Sequence, residues 1–131
     1  MCRVRQGGKW NSGGAFTADD VARNSGGWGG KEVEGNSMAG RFATLIDNDT
    51  GKAIDGAIEV VDSHTVKLTL PASDITLIAG MADYPAAISH PDTSVDSIDS
   101  PIGTGPHLPE SPQVGVNAGL VQNADHTCGN E

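Results

Sequence analysis

The chain has 131 residues, enough for one ordinary domain, and carries 17 acidic against 8 basic residues, a formal charge of −9. This acidic balance argues against a nucleic-acid partner or an anionic membrane surface, because phosphate recognition needs clustered Lys and Arg. Hydrophobic residues make up 37% and aromatic residues 4%, with 18 glycines, so the core must be thin, and no apolar run approaches the roughly 20 residues that membrane insertion requires.

The first predicted elements are an extended segment, a turn and a short helix. Residues 2–10 read as extended and end at a turn over residues 11–14. Thr17 followed by Asp20 has the spacing of a capping box at a helix N-terminus. The Asn, Ser and Gly residues beyond it support a helix poorly, a glycine costing roughly 1 kcal/mol against alanine. We therefore predict a short helix and then an irregular Gly/Ser-rich loop over residues 25–36.

A second helix is predicted after Ser37, which can serve as its N-cap. Met38, Phe42, Leu45 and Ile46 then recur at i, i+4, i+7 and i+8 spacing. This spacing places all four side chains on one face of an α-helix. By periodicity it is the best-supported helix of the sequence.

A β-hairpin with one buried face is predicted next, with Pro71 ending its second strand. The apolar residues that flank its polar turn are Ile58, Val60, Val66, Leu68 and Leu70. After Pro71, Ser73 or Asp74 can cap a third short helix. The apolar residues of that helix are Ile75, Leu77, Ile78 and Met81.

The C-terminal third contains a Tyr-Pro turn at residues 84–85 and then a polar, acidic stretch over residues 90–101 with no periodic pattern. A last extended region is predicted from residue 115 to residue 122. Strands and helices thus alternate irregularly along the chain, an order typical of a small α+β fold.

The sequence DNDTG, residues 47–51, invites a calcium-site interpretation. Asp47 and Asp49 occupy the first and third positions of an EF-hand-like loop, but Gly51 stands at position five instead of six, and no glutamate follows at position twelve. We therefore predict an ordinary Asx-type turn and no metal site.

The histidines do not form a recognisable catalytic motif. They are His64, His90, His107 and His126. Because they lie far apart in sequence and no G-x-S-x-G or H-E-x-x-H motif accompanies them, a shared metal or a nucleophile–base pair would need tertiary coincidence. We predict no enzymatic activity and no cofactor.

The sequence GTGP, residues 103–106, resembles a phosphate-binding loop only in its glycines. A P-loop has Lys and Ser or Thr after the second glycine, whereas Pro106 and His107 follow here. We interpret GTGP as a junction at which Gly103 and Gly105 permit a sharp change of chain direction.

Two cysteines, Cys2 and Cys128, lie at opposite ends of the chain. They leave two interpretations open: a bridge between them, or two unpaired thiols on loose termini. The N-terminal MCRVRQGGKW has basic residues but no apolar signal-peptide core. The protein is therefore either cytoplasmic, or the chain starts after an export signal.

Taken in order, four segments resemble one known family. They are KWNSGGAFTADDVARN, GAIEVVDSHTVKLTLPASD, YPAAI and SPIGTGPHLPES. The resemblance is to the family-5 extracellular solute-binding proteins of ABC importers, the oligopeptide, dipeptide and nickel group. That family has a "W-x-(D/N)-G-x-x-F-T-A-x-D-V" segment, a "V-x-D-x-x-T-V" hairpin and an "N-P-(I/V)-G-T-G-P-Y" return, and the matches cover nearly all of this chain.

The resemblance implies that the chain is part of a longer, two-lobed periplasmic binding protein. Residues 1–100 would be the small extra domain of the first lobe, and residues 101–131 the GTGP junction and the start of the return strand. The parent protein would capture a small solute, a short peptide by this resemblance, and deliver it to an ABC permease outside the cytoplasm. Tyr84 precedes the strand that approaches the ligand in relatives, so it is the candidate ligand contact.

A second hypothesis from another class remains open. The chain could be a free-standing interaction module that uses the apolar helix face of Met38, Phe42, Leu45 and Ile46, because an exposed stripe of that size favours association.

Overall fold

The computed structural model describes residues 1–29, 36–93, 101–113, 115 and 117–126. The chain forms two compact units. The first unit comprises Met1–Val4 and Thr17–Ile88, and the second comprises Arg5–Phe16 and Ser89–Glu131. Helices and two small antiparallel sheets confirm the predicted α+β class. No helix in the described ranges has both the length and the apolar character that a bilayer crossing requires.

The first unit contains a three-stranded antiparallel sheet, in which the last of the three strands along the chain forms the middle: the order is Cys2–Arg3, Thr65–Leu68, Ile58–Asp62. Strand β2 (Ile58–Asp62) and strand β3 (Thr65–Leu68) form the predicted hairpin. The predicted buried face is wrong for β2, where Val60 is 39% exposed, whereas Val66 on β3 is buried. Strand β1 (Cys2–Arg3) pairs with the other edge of β3. The predicted extended segment 2–10 is therefore a true strand only at its first residues.

Helix α1 (Ala18–Trp28) packs against β2 and β3 and begins as predicted. The Thr17 backbone N–H donates to Asp20 Oδ2 at 3.0 Å, which forms one half of the capping box. The helix is longer than predicted, because it continues through Gly26 and Gly27 to Trp28. The Trp28 ring lies 4.9 Å from the Phe42 ring, so tertiary packing at the helix end outweighs the poor propensity of its glycines.

The predicted second helix does not form, and this prediction is wrong. Asn36 Oδ1 accepts from the Met38 backbone N–H at 3.0 Å, and Met38 O accepts from both Arg41 and Phe42. A single 3₁₀ turn follows at Ala43–Leu45. Successive turns replace the helix, because the Asn36 side chain bonds the backbone and Gly40 has a low helix propensity. These turns still direct the same apolar residues inward.

The core of the first unit is built on those apolar residues. Its buried members are Met38, Phe42, Leu45, Ala57, Leu77 and Ala86. Phe42 and Leu45 are fully buried, and Ile46 is buried as well. The hypothesis of an interaction module with this face exposed is therefore wrong, because the face is already covered inside the unit.

Helix α2 (Thr76–Met81) confirms the third predicted helix. Neither of the two proposed residues is its N-cap, which is Ile75 and has no side-chain cap bond, but Asp74 Oδ1 accepts from the Thr76 backbone N–H at 2.9 Å. Leu77 is buried, whereas Ile78 is 78% exposed and Ile75 is 92% exposed. The predicted apolar stripe is thus only partly covered in the first unit.

The second unit contains a two-stranded antiparallel sheet of β4 (His107–Gln113) and β5 (Asn117–Gln122). Strand β5 confirms the extended region predicted near residues 115–122. Strand β4, which contains Pro109 and Pro112, was not predicted. Both strands of a two-stranded sheet are edge strands, where a proline without an N–H is tolerated.

Most of the polar stretch predicted over residues 90–101 lies outside the residues that the structure describes. The same applies to residues 30–35 of the predicted Gly/Ser-rich loop and to Cys128. Cys2 is half-buried opposite Val66 on β3. Both interpretations of the two cysteines, a bridge or two unpaired thiols, therefore stay predictions.

Candidate functional site

Tyr84 opens a 3₁₀ turn, Tyr84–Ala86, and its side chain is 88% exposed. Asp83 fixes the backbone of this turn in two ways. Its Oδ1 accepts from the Tyr84 backbone N–H at 2.8 Å, and its carbonyl accepts from the Ala86 N–H at 3.0 Å. Pro85 further restricts the turn. The ring of Tyr84 is thus carried on a constrained backbone and directed to the surface.

Arg41 anchors Asp83 from the neighbouring turn. Arg41 Nη1 forms an ion pair with Asp83 Oδ2, while Asp83 Oδ1 holds the Tyr84 N–H. The bond from Arg41, and then that from the Tyr84 backbone, holds the pKa of Asp83 below its ordinary value. Both oxygens of this carboxylate are therefore used to position the turn that carries Tyr84.

Asp47 forms the predicted Asx-type turn. Its Oδ1 accepts from the backbone N–H groups of Asp49 at 2.9 Å and of Thr50 at 2.8 Å. These bonds, that from Thr50 first, lower the pKa of Asp47. In the described part of the chain, no three His, Cys, Asp or Glu side chains are grouped so that they could hold a metal ion.

Asp62 and Asp74 repeat this pattern at other turns of the first unit. The backbone N–H of His64 is the main cause that lowers the pKa of Asp62, and the Thr76 hydroxyl is the main cause for Asp74. Asp74 Oδ2 also accepts from Thr44 Oγ1 at 3.0 Å. These carboxylates bind their neighbours better when they are ionised.

Acidification is expected to destabilise the first unit through these aspartates. A folded-state pKa below the unfolded value of about 3.9 gives stability that is present above that pH and is lost as the pH falls through the folded-state pKa. The melting temperature, followed by circular dichroism, should therefore decline below about pH 4. Asp74→Asn should flatten this decline, whereas Asp55→Asn, at an exposed position, should not. Equal slopes in the two variants would contradict the assignment.

No three of the histidines are grouped as a possible metal site in the part of the chain that the structure describes. His64 lies in the first unit, and its Nδ1 is 2.8 Å from Ser63 Oγ. The other three belong to the second unit. There His90 packs edge-on against Trp10 at 5.0 Å between ring centroids, and His107 is exposed at the start of β4. The contacts of His64 with Ser63 and of His90 with Trp10 are typical of structural residues.

GTGP is a junction held by Asn11, which sequence reasoning did not single out. The Asn11 backbone N–H donates to Gly103 O at 3.0 Å, and Asn11 Oδ1 accepts from the Gly103 N–H at 3.0 Å. The chain bends at residues 105–106, in line with the predicted change of direction, and neither Gly103 nor Gly105 adopts a positive φ there. The hydrogen bonds of Asn11 fix the start of this path.

Asn123 holds the other end of the same junction. Its backbone N–H donates to Pro106 O at 2.8 Å, and its side-chain amide donates to Gly105 O at 3.0 Å. Its Oδ1 accepts from the Asp125 N–H at 3.1 Å, which forms a turn over residues 123–126. Asn123 is buried, although asparagine usually lies at the surface. No local signal marks Asn11 or Asn123, because their partners are far away in sequence.

A cavity of about 250 Å³ lies within the second unit. It is lined by Arg5, Gly8, Lys9, Phe16, Thr104 and the turn residues 125–126. The lining thus combines one aromatic ring with basic and acidic side chains that the sequence separates by about a hundred positions. His126 is half-buried here.

A family model described as bacterial extracellular solute-binding proteins, family 5 Middle, matches residues 2–128 of the chain. Comparisons with curated proteins and with solved structures give no match.

Proposed function

The chain belongs to the bacterial extracellular solute-binding proteins of family 5, and from this premise we propose that its parent protein captures short peptides and delivers them to an ABC permease. The observation that supports this proposal is the family match over residues 2–128. Proteins of this family bind solutes without transforming them, and we extend this property to the present chain. Capture takes place in the periplasm or at the outer face of the membrane, so the parent protein is exported.

We further propose that the chain is a part of the first lobe. Residues 1–100 form its small extra domain, and residues 101–131 lead back into the main lobe. The exposed apolar side chains of Ile75, Ile78 and Tyr84 support this arrangement, since large apolar side chains left in water favour contact with a further surface. In the proposed parent these side chains pack against the rest of the lobe or border the ligand.

The coding sequence on either side of the chain tests the partial-chain proposal. An export signal upstream and a second lobe downstream, in the same reading frame, would support it. Stop codons that bound residues 1–131 in the native gene would overturn it.

Calorimetric titration of the parent protein tests the solute. Binding of di- to pentapeptides with micromolar or tighter affinity, against no heat from sugars or free amino acids, supports the proposal. Binding of a non-peptide solute in place of peptides would retain the family function and reject the peptide assignment.

Tyr84 is the proposed ligand contact of this segment. In the parent protein, Tyr84→Ala is expected to weaken peptide binding about tenfold, because an aromatic contact contributes on the order of 1 kcal/mol beyond its buried area. Tyr84→Phe keeps the ring and should retain most of the affinity. Since the side chain is 88% exposed, stability should change by no more than about 0.5 kcal/mol. Unchanged affinity in Tyr84→Ala would exclude the role.

A further inference from the structure

The turn over residues 54–57, which leads into β2, presents an Asp-Gly pair to solvent. The Ala57 N–H donates to Ile54 O at 2.9 Å and closes the turn, and Gly56 at its third position has φ 74°. A positive φ at this position is typical of a type II turn and favours glycine. Asp55 and Gly56 are both exposed, and a Cβ at Gly56 would meet no atom within 4 Å. The backbone of Gly56 is therefore open to approach.

The two reactive groups of this pair have no partner among the residues that the structure describes. The Asp55 carboxylate accepts no hydrogen bond and forms no ion pair there, and the Gly56 N–H has no acceptor. The N–H groups on either side are used, since Ile54 donates to Leu45 O and Ala57 donates to Ile54 O, each at 2.9 Å. These two bonds hold the turn and leave the Asp55 side chain beside a free amide nitrogen.

Two aspartates at other turns of the first unit differ, because their carboxylates are occupied. Asp83 Oδ1 accepts from the N–H of the next residue, Tyr84, at 2.8 Å. Asp62 precedes the small and exposed Ser63, but its Oδ1 accepts from the His64 N–H at 2.8 Å, and this bond is the main cause that holds the pKa of Asp62 below its ordinary value. A carboxylate that stays ionised is a poor electrophile, because its oxygen leaves as water only from the protonated form.

We propose that Asp55 is a site of spontaneous isomerisation to isoaspartate, and that the fold selects it over Asp62 and Asp83. The Gly56 nitrogen attacks Cγ of the protonated Asp55 carboxyl. The N–Cγ bond forms, the Cγ–OH bond breaks, and the hydroxyl leaves with the amide proton as water. The attack is intramolecular and closes a five-membered succinimide, so the turn supplies the proximity that the reaction needs.

Hydrolysis of the succinimide completes the change. Uptake of one water breaks the bond from the ring nitrogen either to Cγ, which restores aspartate, or to the backbone carbonyl carbon of Asp55, which leaves the chain running through Cγ. The second product is isoaspartate, with one more methylene in the backbone and the same charge. Ala57 is buried, and its carbonyl accepts from the Thr69 N–H at 2.8 Å. A longer turn therefore loosens the attachment of the β2–β3 hairpin to the core.

Ageing of the folded 131-residue chain in mildly acidic buffer, followed by peptide mass spectrometry, tests the proposal. Trypsin cuts after Lys52 and Lys67, so one peptide contains both Asp55 and Asp62. Electron-transfer fragmentation of this peptide distinguishes isoaspartate from aspartate, and a sample digested before ageing gives the background. Isoaspartate is expected to accumulate faster at position 55 than at position 62. Its absence from position 55, or equal accumulation at both positions, would overturn the proposal.

The synthetic peptide of residues 53–67 separates the effect of the fold from that of the Asp-Gly sequence. It contains the same two sites, but no folded chain surrounds them. The ratio of the rate at position 55 to that at position 62 is expected to be about tenfold higher in the folded chain, the equivalent of one hydrogen bond to a charged group. Equal ratios in the chain and in the peptide would show that glycine alone directs the reaction, and selection by the fold would be rejected.

Asp55→Glu is the matched variant, because glutamate keeps the charge but would have to close a six-membered ring, which forms more slowly. Modification at position 55 should disappear in this variant, whereas the rate at position 62 should not change. Survival of the same fragmentation signal in Asp55→Glu would place the modification at another residue and contradict the assignment to Asp55. This inference concerns the first unit alone and does not depend on the solute that the parent protein transports.

Discussion

Phe42→Ala is expected to lower the free energy of unfolding of the first unit by about 3–5 kcal/mol, the usual cost of deleting a buried aromatic ring. Phe42 is fully buried at the centre of the core and packs on Trp28. Its removal leaves a cavity that the turns on either side cannot close, because Met38 and Leu45 are already buried beside it. Urea unfolding followed by circular dichroism measures the loss.

Two further variants keep this prediction testable if Phe42→Ala does not fold. Phe42→Leu fills most of the volume and should cost clearly less than the alanine variant. Ile78→Ala removes a large apolar side chain that is exposed in this unit, and it should change stability by no more than about 0.5 kcal/mol. A loss below about 1 kcal/mol in Phe42→Ala would mean that the ring is not part of the core.

Gly29→Ala is expected to destabilise the first unit by about 1–3 kcal/mol through steric overlap. A Cβ at Gly29 would lie 1.7 Å from Ile46 Cδ1 and 2.3 Å from Cγ1. Ile46 is buried, so its side chain cannot swing into solvent without losing its own packing. Gly29 has φ −78°, which any residue can adopt, and the penalty therefore comes from the contact and not from the backbone.

Gly27→Ala provides the matched control, because it is the same exchange two residues earlier, with no atom within 4 Å of the added Cβ. Alanine in a helix is favoured over glycine by up to about 1 kcal/mol, so this variant should be more stable than the wild type. Chemical unfolding of both variants should give changes of opposite sign. Equal changes in the two variants would show that backbone propensity alone determines the change in stability.

A double-mutant cycle locates the overlap. Ile46→Ala removes the two atoms that meet the new Cβ, at the cost of a buried side chain. Gly29→Ala should therefore cost less in the Ile46→Ala background, with a coupling of about 0.5–3 kcal/mol. Additive losses would place the steric conflict elsewhere.

The elements that sequence reasoning predicted are those with local causes. The capping box of Thr17 and Asp20, the Asx turn of Asp47 and the pairing of β2 with β3 each depend on residues a few positions apart. The family assignment also rested on the order of such local segments, and the family match confirms it.

The errors arise where distant contacts or side-chain bonds outweigh periodicity. Met38, Phe42 and Leu45 have helical spacing, yet Asn36 and Gly40 favour successive turns with the same inward direction. Helix α1 extends over glycines because Trp28 packs on Phe42. Periodicity thus predicted which of these residues are buried but not the backbone that buries them.

The candidate sites were predictable to different degrees. Tyr84 was named only through resemblance, and it remains a proposal, although the structure places its ring at the surface. The cavity of the second unit could not be predicted, since the segments that carry Lys9 and Asp125 are held by the contacts of Asn11 and Asn123 with GTGP. No window of local sequence contains both sides of that cavity.

The bond between Asn11 and Gly103 joins residues 92 positions apart, and this separation has a consequence for biosynthesis. Ribosomes add about 5–20 residues per second, so roughly 5–20 s pass between the emergence of the first partner and that of the second. During this interval residues 5–16 have no GTGP segment to bind, whereas the core of the first unit can already form. Nascent chains are therefore expected to expose Trp10 and Phe16 to chaperones until translation of the GTGP segment is complete.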